Sequence, residues 1–201
     1  SFESINSDGS LRPPDNSRHH EQLRTDTGLV EPQEMIPELL RLGSLNGNLT
    51  GMAFNKEHWH KVGPFKENWR HAADWEWLIW ASETKALLLN REPIAYVRTH
   101  DQQLSVQNRQ SGHECREVAD VVKTLMEHPL LRGSARRRPW AGHVMQFQLW
   151  NLIKRASQGD WSQLSDGLRA IHKSAGIRQT GWSLVRWVPV RWKLWRRPSA
   201  H

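Results

Sequence analysis

The sequence predicts an α/β chain: a mixed region over residues 1–110, then a helical region. Three observations lead there. The apolar runs Ala86–Leu89 and Pro93–Val97 are short enough for strands and follow a helical pattern. Apolar residues recur at helical spacing in Met35, Ile36, Leu39 and Leu40, and again in Val118, Val121, Val122 and Leu125. Beyond Pro129 no strand pattern returns, and residues 140–157 and 161–174 read as two helices joined by Gly159 and Asp160.

Taken in order, Phe2 to Ile5 suits a short strand, and Asp8-Gly9 a turn. Residues 12–27 are rich in Pro, Asp, Asn and His and read as an exposed loop, with His19 and His20 solvated. Residues 31–42 form a helix with Pro32 in its first turn and Gly43 at its stop, and Pro37 is awkward inside it, a point where the segment either splits or continues. Asn55 caps a helix from Lys56 to Val62 that Gly63-Pro64 ends. A further helix runs from Asp74 to about Glu83. The strand over Pro93–Val97 leads into a polar loop from Arg98 to Ser105, the kind of strand-end loop on which α/β proteins place ligands. Arg136 to Pro139 reads as a basic hinge and a boundary. The expected division is residues 1–110, a helical region 111–178, and a basic tail 179–201.

Composition limits the possible functions. Mean hydropathy is −0.72, and no apolar run approaches the roughly 18 residues of a membrane span. The start is polar and acidic, without a secretory pattern or an initiator Met, which leads us to expect a piece of a longer chain. The single Cys115 excludes an internal disulfide and lies in a helical pattern, where it is expected to be inert. After Asp166 there are eight Lys and Arg and no acid, against a net charge of +7 for the whole chain, which leaves −1 for residues 1–166. The basic character therefore belongs to the tail, and nucleic-acid binding by the whole protein is not expected. Trp182, Trp187, Trp192 and Trp195 alternate with Arg186, Arg191 and Lys193 there. That pattern suits either an interfacial segment on an anionic membrane surface or a helix packing its indoles on the domain.

The densest chemistry is His71-Ala72-Ala73-Asp74-Trp75-Glu76-Trp77. Trp75, Leu78 and Ile79 share a helix face, and Asp74 occupies or adjoins the N-cap. Free backbone N–H groups there favour the carboxylate, while the rings of Trp75, Trp77 and Trp80 would exclude water and oppose it. Asp74 is thus a plain cap or a general base poised near neutrality. Tyr96-Val97-Arg98-Thr99-His100 forms the second cluster, with Arg98 and His100 either surface charges or ligand contacts.

In order and spacing, NLTGMAFNKEHWHKVGPFKENWRHAADWEWLIWAS followed by REPIAYVRTHDQQLS resembles the C-terminal, acceptor-side half of a bacterial family 2 glycosyltransferase, over about residues 44–106. The resemblance implies a partial GT-A fold, a nucleotide-diphosphate sugar donor, a glycan or lipid-linked acceptor in surface polysaccharide synthesis, and a divalent metal, Mn²⁺ or Mg²⁺. Asp74 would be the base that activates the acceptor hydroxyl, with inversion, and His100 a metal ligand. Arg98 would face a phosphate oxygen, and Asn48, Gly51 and Trp75 would border the substrates. Ala73 stands where the family's first acid stands, Trp80 where many members carry Arg, and the upstream nucleotide site is missing from the chain. The implied location is the cytoplasm or the inner face of the plasma membrane. The competing expectation is a non-catalytic transferase remnant whose tail binds lipid or single-stranded nucleic acid.

Overall fold

The computed structural model describes residues 2–12, 20–24, 26–45, 51–90, 92–98, 107–108 and 111–195. It is a mixed α/β structure, mostly helical. Strand β1 (Glu3–Ile5) is followed by the short helix α1 (His20–Leu23), β2 (Gly28–Val30) and α2 (Pro32–Leu42). Next come α3 (Lys56–Val62), α4 (Ala73–Thr84), β3 (Leu87–Leu89) and β4 (Tyr96–Arg98). Helix α5 (His113–Glu127), a 3₁₀ turn (Pro129–Leu131), α6 (Arg137–Ser157), α7 (Leu164–Ser174) and α8 (Ile177–Trp195) complete the order.

The strands form two pairs. β1 and β4 are parallel, with Ile5 opposite Arg98. β2 and β3 are antiparallel, with Val30 opposite Leu87. A short unbroken apolar run such as Ala86–Leu89 suits a buried strand, yet Leu88 is 60% exposed. Among the described residues β3 pairs only with β2, and Leu87 and Leu89 pack against the core while Leu88 points away from it.

Helix α2 is a single helix although Pro37 lies inside it. The ring forfeits one backbone hydrogen bond. Met35, Ile36, Leu39 and Leu40 on either side are fully buried, and their packing holds the helix through the defect. Asn55 caps α3 as expected, its Oδ1 accepting from the amides of Glu57 and His58 at 2.8 and 3.1 Å. α3 then docks on α4 through rings. Trp59 lies 5.2 Å from Trp77 and 4.8 Å from Phe65 between centroids, and Trp77 Nε1 donates to the Gly63 carbonyl at 2.8 Å.

Arg136 to Pro139 is not a hinge. Arg137, Arg138 and Pro139 open α6. Proline is tolerated in a first helical turn because its missing N–H would have had no partner there. One hydrophobic core then runs from Val30 and α2 through α4 and α5 to Met145 of α6, Ile171 of α7 and Leu184 of α8. Cys115 belongs to it, and burial pushes its thiol up to about 11, in keeping with an inert side chain. No helix among the described residues is long and apolar enough to cross a membrane.

The contact between α6 and α8 is close at Gly142. A methyl group on Gly142 would lie 2.9 Å from the Gln179 carbonyl oxygen and 3.0 Å from its carbonyl carbon, backbone atoms that cannot swing aside. In an open helix Gly→Ala stabilises by about 1 kcal/mol, whereas overpacking costs about 1–3 kcal/mol. The clash should win. Gly142→Ala is expected to lose about 1 kcal/mol net in urea denaturation, and a more stable variant would refute the close approach.

The turn between α6 and α7 makes a pH-dependent contribution. Asp160 accepts from the Ser162 hydroxyl at 2.6 Å and from Arg155 Nη2 at 2.5 Å, and these bonds hold its carboxyl down at about 2. Because the folded value lies below the ordinary 3.8, this contribution is present above 3.8 and is lost as pH falls through about 2. An NMR titration should place the Asp160 midpoint near 2, and Ser162→Ala should move it upward.

Candidate functional site

Asp74 does not cap α4. The N-cap is Ala72, which has no side chain to offer, and Asp74 stands in the first turn, half-buried, with Oδ1 2.8 Å from the Trp75 amide. The free amides before α4 are taken from elsewhere. Glu117 of α5 accepts from Arg70 N at 2.9 Å with Oε1, and from His71 N at 2.7 Å and Ala72 N at 2.9 Å with Oε2. Asn108 adds a bond from Nδ2 to the Arg70 carbonyl at 2.6 Å. Glu117 and Asn108 are both buried, so the approach to Asp74 is held from both its N–H and its C=O side.

Neither residue was singled out from the sequence. A signal for Glu117 was there. Glu114 and Glu117 precede Val118, Val121 and Val122 at spacings that put all five on one helix face. A carboxylate on an apolar stripe has to find partners inside the protein. Glu114 finds Gln148 Nε2 at 2.9 Å, and Glu117 finds the three amides.

Around Asp74 the aromatic rings divide. Trp75 is 3% exposed and lies in the core, and its indole nitrogen has no hydrogen-bond partner among the described residues. Trp77 belongs to the cluster with α3. Trp80 is exposed and donates from Nε1 to Glu76 Oε1 at 2.6 Å. Glu76 is itself buried and pairs with Lys66 Nζ at 2.9 Å, while that ammonium lies 4.4 Å from the centroid of Trp69. This second carboxylate in the first turn of α4 also went unremarked in the sequence.

Arg98 ends β4. Its Nη1 donates to the carbonyls of Ser7 at 2.5 Å and Asn6 at 3.3 Å, which ties β4 to the turn after β1. In that turn Asp8 Oδ1 accepts from the Ser10 hydroxyl at 2.7 Å and the Ser10 amide at 2.9 Å. Those bonds hold the Asp8 carboxyl below the usual range, with a smaller contribution from the Arg98 charge. Because β1 and β4 are parallel, both carboxyl ends lie at this edge, and Arg98 and Asp8 share it. Gly51 is placed elsewhere. A methyl group on it would meet the Phe2 ring at 2.9 Å, at the other end of β1, about 10 Å along a strand of this length. A small, mainly apolar hollow of about 90 Å³ opens beside Gly51 between Phe2, Leu78 and Leu89.

Asn48 and His100 lie outside the described residues. Among those described, no group of three or more His, Cys, Asp or Glu side chains is placed to hold a metal ion. No protein-family profile, curated protein or solved structure matches the chain.

Losing the Glu117 carboxylate would leave three backbone donors without their acceptor, each bond to a charged group being worth about 1.5–3 kcal/mol before the remaining groups relax. Glu117→Ala is expected to cost about 3 kcal/mol in urea denaturation and to speed hydrogen exchange at the Ala72 amide. Glu117→Gln, which keeps one acceptor oxygen, should lose less. Equal stability of the alanine variant and the native chain would remove Glu117 from this role.

Proposed function

We propose that this chain is the acceptor-side part of a family 2-like glycosyltransferase of GT-A architecture, which passes a sugar from a nucleotide-diphosphate donor to a glycan or lipid-linked acceptor. The observation that supports this most is the carboxyl edge of the β1–β4 pair, where Arg98 is tied to the turn that carries Asp8. Open α/β sheets bind their ligands at the carboxyl ends of parallel strands.

The exposed sheet surface is a second support. Parallel strands occur in sheets covered on both faces, and two strands alone are marginal. Yet Ile94 is 55% and Tyr96 65% exposed beside this pair. In this proposal a donor-binding half, upstream in the order of the motifs, adds strands and covers that surface.

The chemistry assigned to this chain is proton transfer. The Asp74 carboxylate takes the proton of the acceptor hydroxyl, the hydroxyl oxygen bonds to the anomeric carbon, and the bond to the nucleotide diphosphate breaks on the opposite side, giving inversion. Glu117 and Asn108 fix the backbone that leads to Asp74, which leaves that carboxylate out of the capping of residues 70–72. Arg98 sets positive charge against the leaving diphosphate. A divalent metal at His100 is part of the proposal and is tested by adding Mn²⁺ or Mg²⁺ to the assay. Such an enzyme works in the cytoplasm or on the inner face of the plasma membrane.

A second reading, a remnant without activity, is favoured by Ala73, which stands where the family's first acid would be. Transfer from a panel of nucleotide-diphosphate sugars, measured on the chain extended upstream by its native sequence, separates the two. Asp74→Asn is expected to lower turnover by about a hundredfold or more while donor binding is unchanged. Unchanged turnover would take Asp74 out of the reaction, and the absence of transfer from every donor would leave the remnant.

A further inference from the structure

Helix α8 is two-sided. Thr180, Leu184 and Trp187 face inward, with Thr180 and Leu184 buried and Trp187 stacked edge-on against Trp150 of α6 at 6.1 Å. Arg178, Trp182, Val185 and Arg186 follow at i, i+4, i+7 and i+8, so they share the opposite face. Trp182 is 56% and Val185 63% exposed, and the Arg186 guanidinium lies over the Trp182 ring at 4.9 Å. Trp182 borders two open hollows. One, of about 840 Å³, includes Arg138, His172 and Arg178 in its lining, and the other, of about 450 Å³, includes His143 and Arg186. Neither lining contains an acidic residue.

We propose that this face of α8 is a docking surface for an anionic membrane, with Trp182 and Val185 entering the interface between headgroups and acyl chains and Arg138, Arg178 and Arg186 meeting lipid phosphates. The charge chooses the partner: every ionisable group lining the two hollows is Arg or His, which selects for anions. The exposed aliphatic side chain chooses the kind of anion. A nucleic acid stacks on aromatic rings and pairs with arginine but gains little from Val185, whereas a lipid interface takes up an aliphatic and an indole side by side. Indoles settle at headgroup depth, where the ring is apolar and its N–H stays hydrated. The inward face keeps α8 docked on α6 while the outward face binds, so the helix need not leave the domain. This surface is built on other elements than Asp74 and Arg98, and its test needs no transfer activity.

Sedimentation of the full chain with phosphatidylcholine vesicles containing about one third phosphatidylglycerol tests the proposal. Binding is expected at low salt, should fall steeply as salt is raised, and should be absent with phosphatidylcholine alone. Arg178→Gln with Arg186→Gln, at solvent-facing positions, is expected to weaken binding at least about tenfold with the circular dichroism spectrum unchanged. Val185→Ser should weaken vesicle binding and leave any binding of single-stranded DNA untouched. The proposal is overturned if the native chain ignores the anionic vesicles, if the folded double variant binds them as well as the native chain, or if DNA binds and Val185→Ser leaves vesicle binding unchanged.

Discussion

The bonds from Glu117 to the amides of Arg70, His71 and Ala72 hold the described site in place. A helix start exposes backbone donors, and this one lacks a side-chain cap of its own. A carboxylate from α5 satisfies the donors just ahead of it across more than forty residues of chain. That choice binds α4 to α5, and both contribute to the same core. It also separates Asp74 from the capping: with Glu117 serving the amides of residues 70–72, Asp74 occupies the first turn half-buried, with Oδ1 2.8 Å from the Trp75 amide.

Long-range satisfaction of this kind is what a sequence pattern conceals. Elements closed by their own neighbours were legible. Asn55 caps α3 and Gly63 ends it, and the stripe of Val118, Val121, Val122 and Leu125 became the buried face of α5. Elements whose character depends on remote partners were not. Leu87 to Leu89 has the composition of an interior strand, but composition does not say whether anything lies on top. Arg136 to Pro139 has the composition of a linker, yet proline costs little in a first turn and the helix starts there. Pro37 has the composition of a break, and the burial of four neighbours outweighs the one bond it removes.

The candidate site divides along the same line. The start of α4 was readable from periodicity to within one residue, whereas the strand expected over Pro93–Val97 is shorter and ends later, at Tyr96–Arg98, so that Arg98 belongs to β4 and not to the loop after it. The Asp8 turn was read only as a turn, because nothing local announces that β1 and β4 are parallel and bring Arg98 to it. Glu76 was hidden between two tryptophans. Trp80 follows it at i+4 on the same helix, but its partner Lys66 becomes apparent only once α4 is turned so that Trp75 faces the core. Gly51, placed beside Phe2, belongs with the small hollow near Leu78 and not with the carboxyl edge.

Composition left the C-terminal segment with two meanings, packing or binding, and the geometry of α8 lets both hold. Its inward contacts fix its rotation about its own axis. Thr180, Leu184 and Trp187 lock one side against the core, and Gly142 lets the α8 backbone at Gln179 approach α6. Once three positions of a helix are committed inward, the positions about half a turn away are committed outward whatever their chemistry. In this chain they are Arg178, Trp182, Val185 and Arg186, so an indole and an aliphatic side chain are left exposed on one face between two arginines. Sequence periodicity alone could not choose which side faces the protein, because tryptophan occurs on both. The burial of Thr180 and Leu184 and the packing of Trp187 on Trp150 make that choice, and the small residue at 142 permits the close approach.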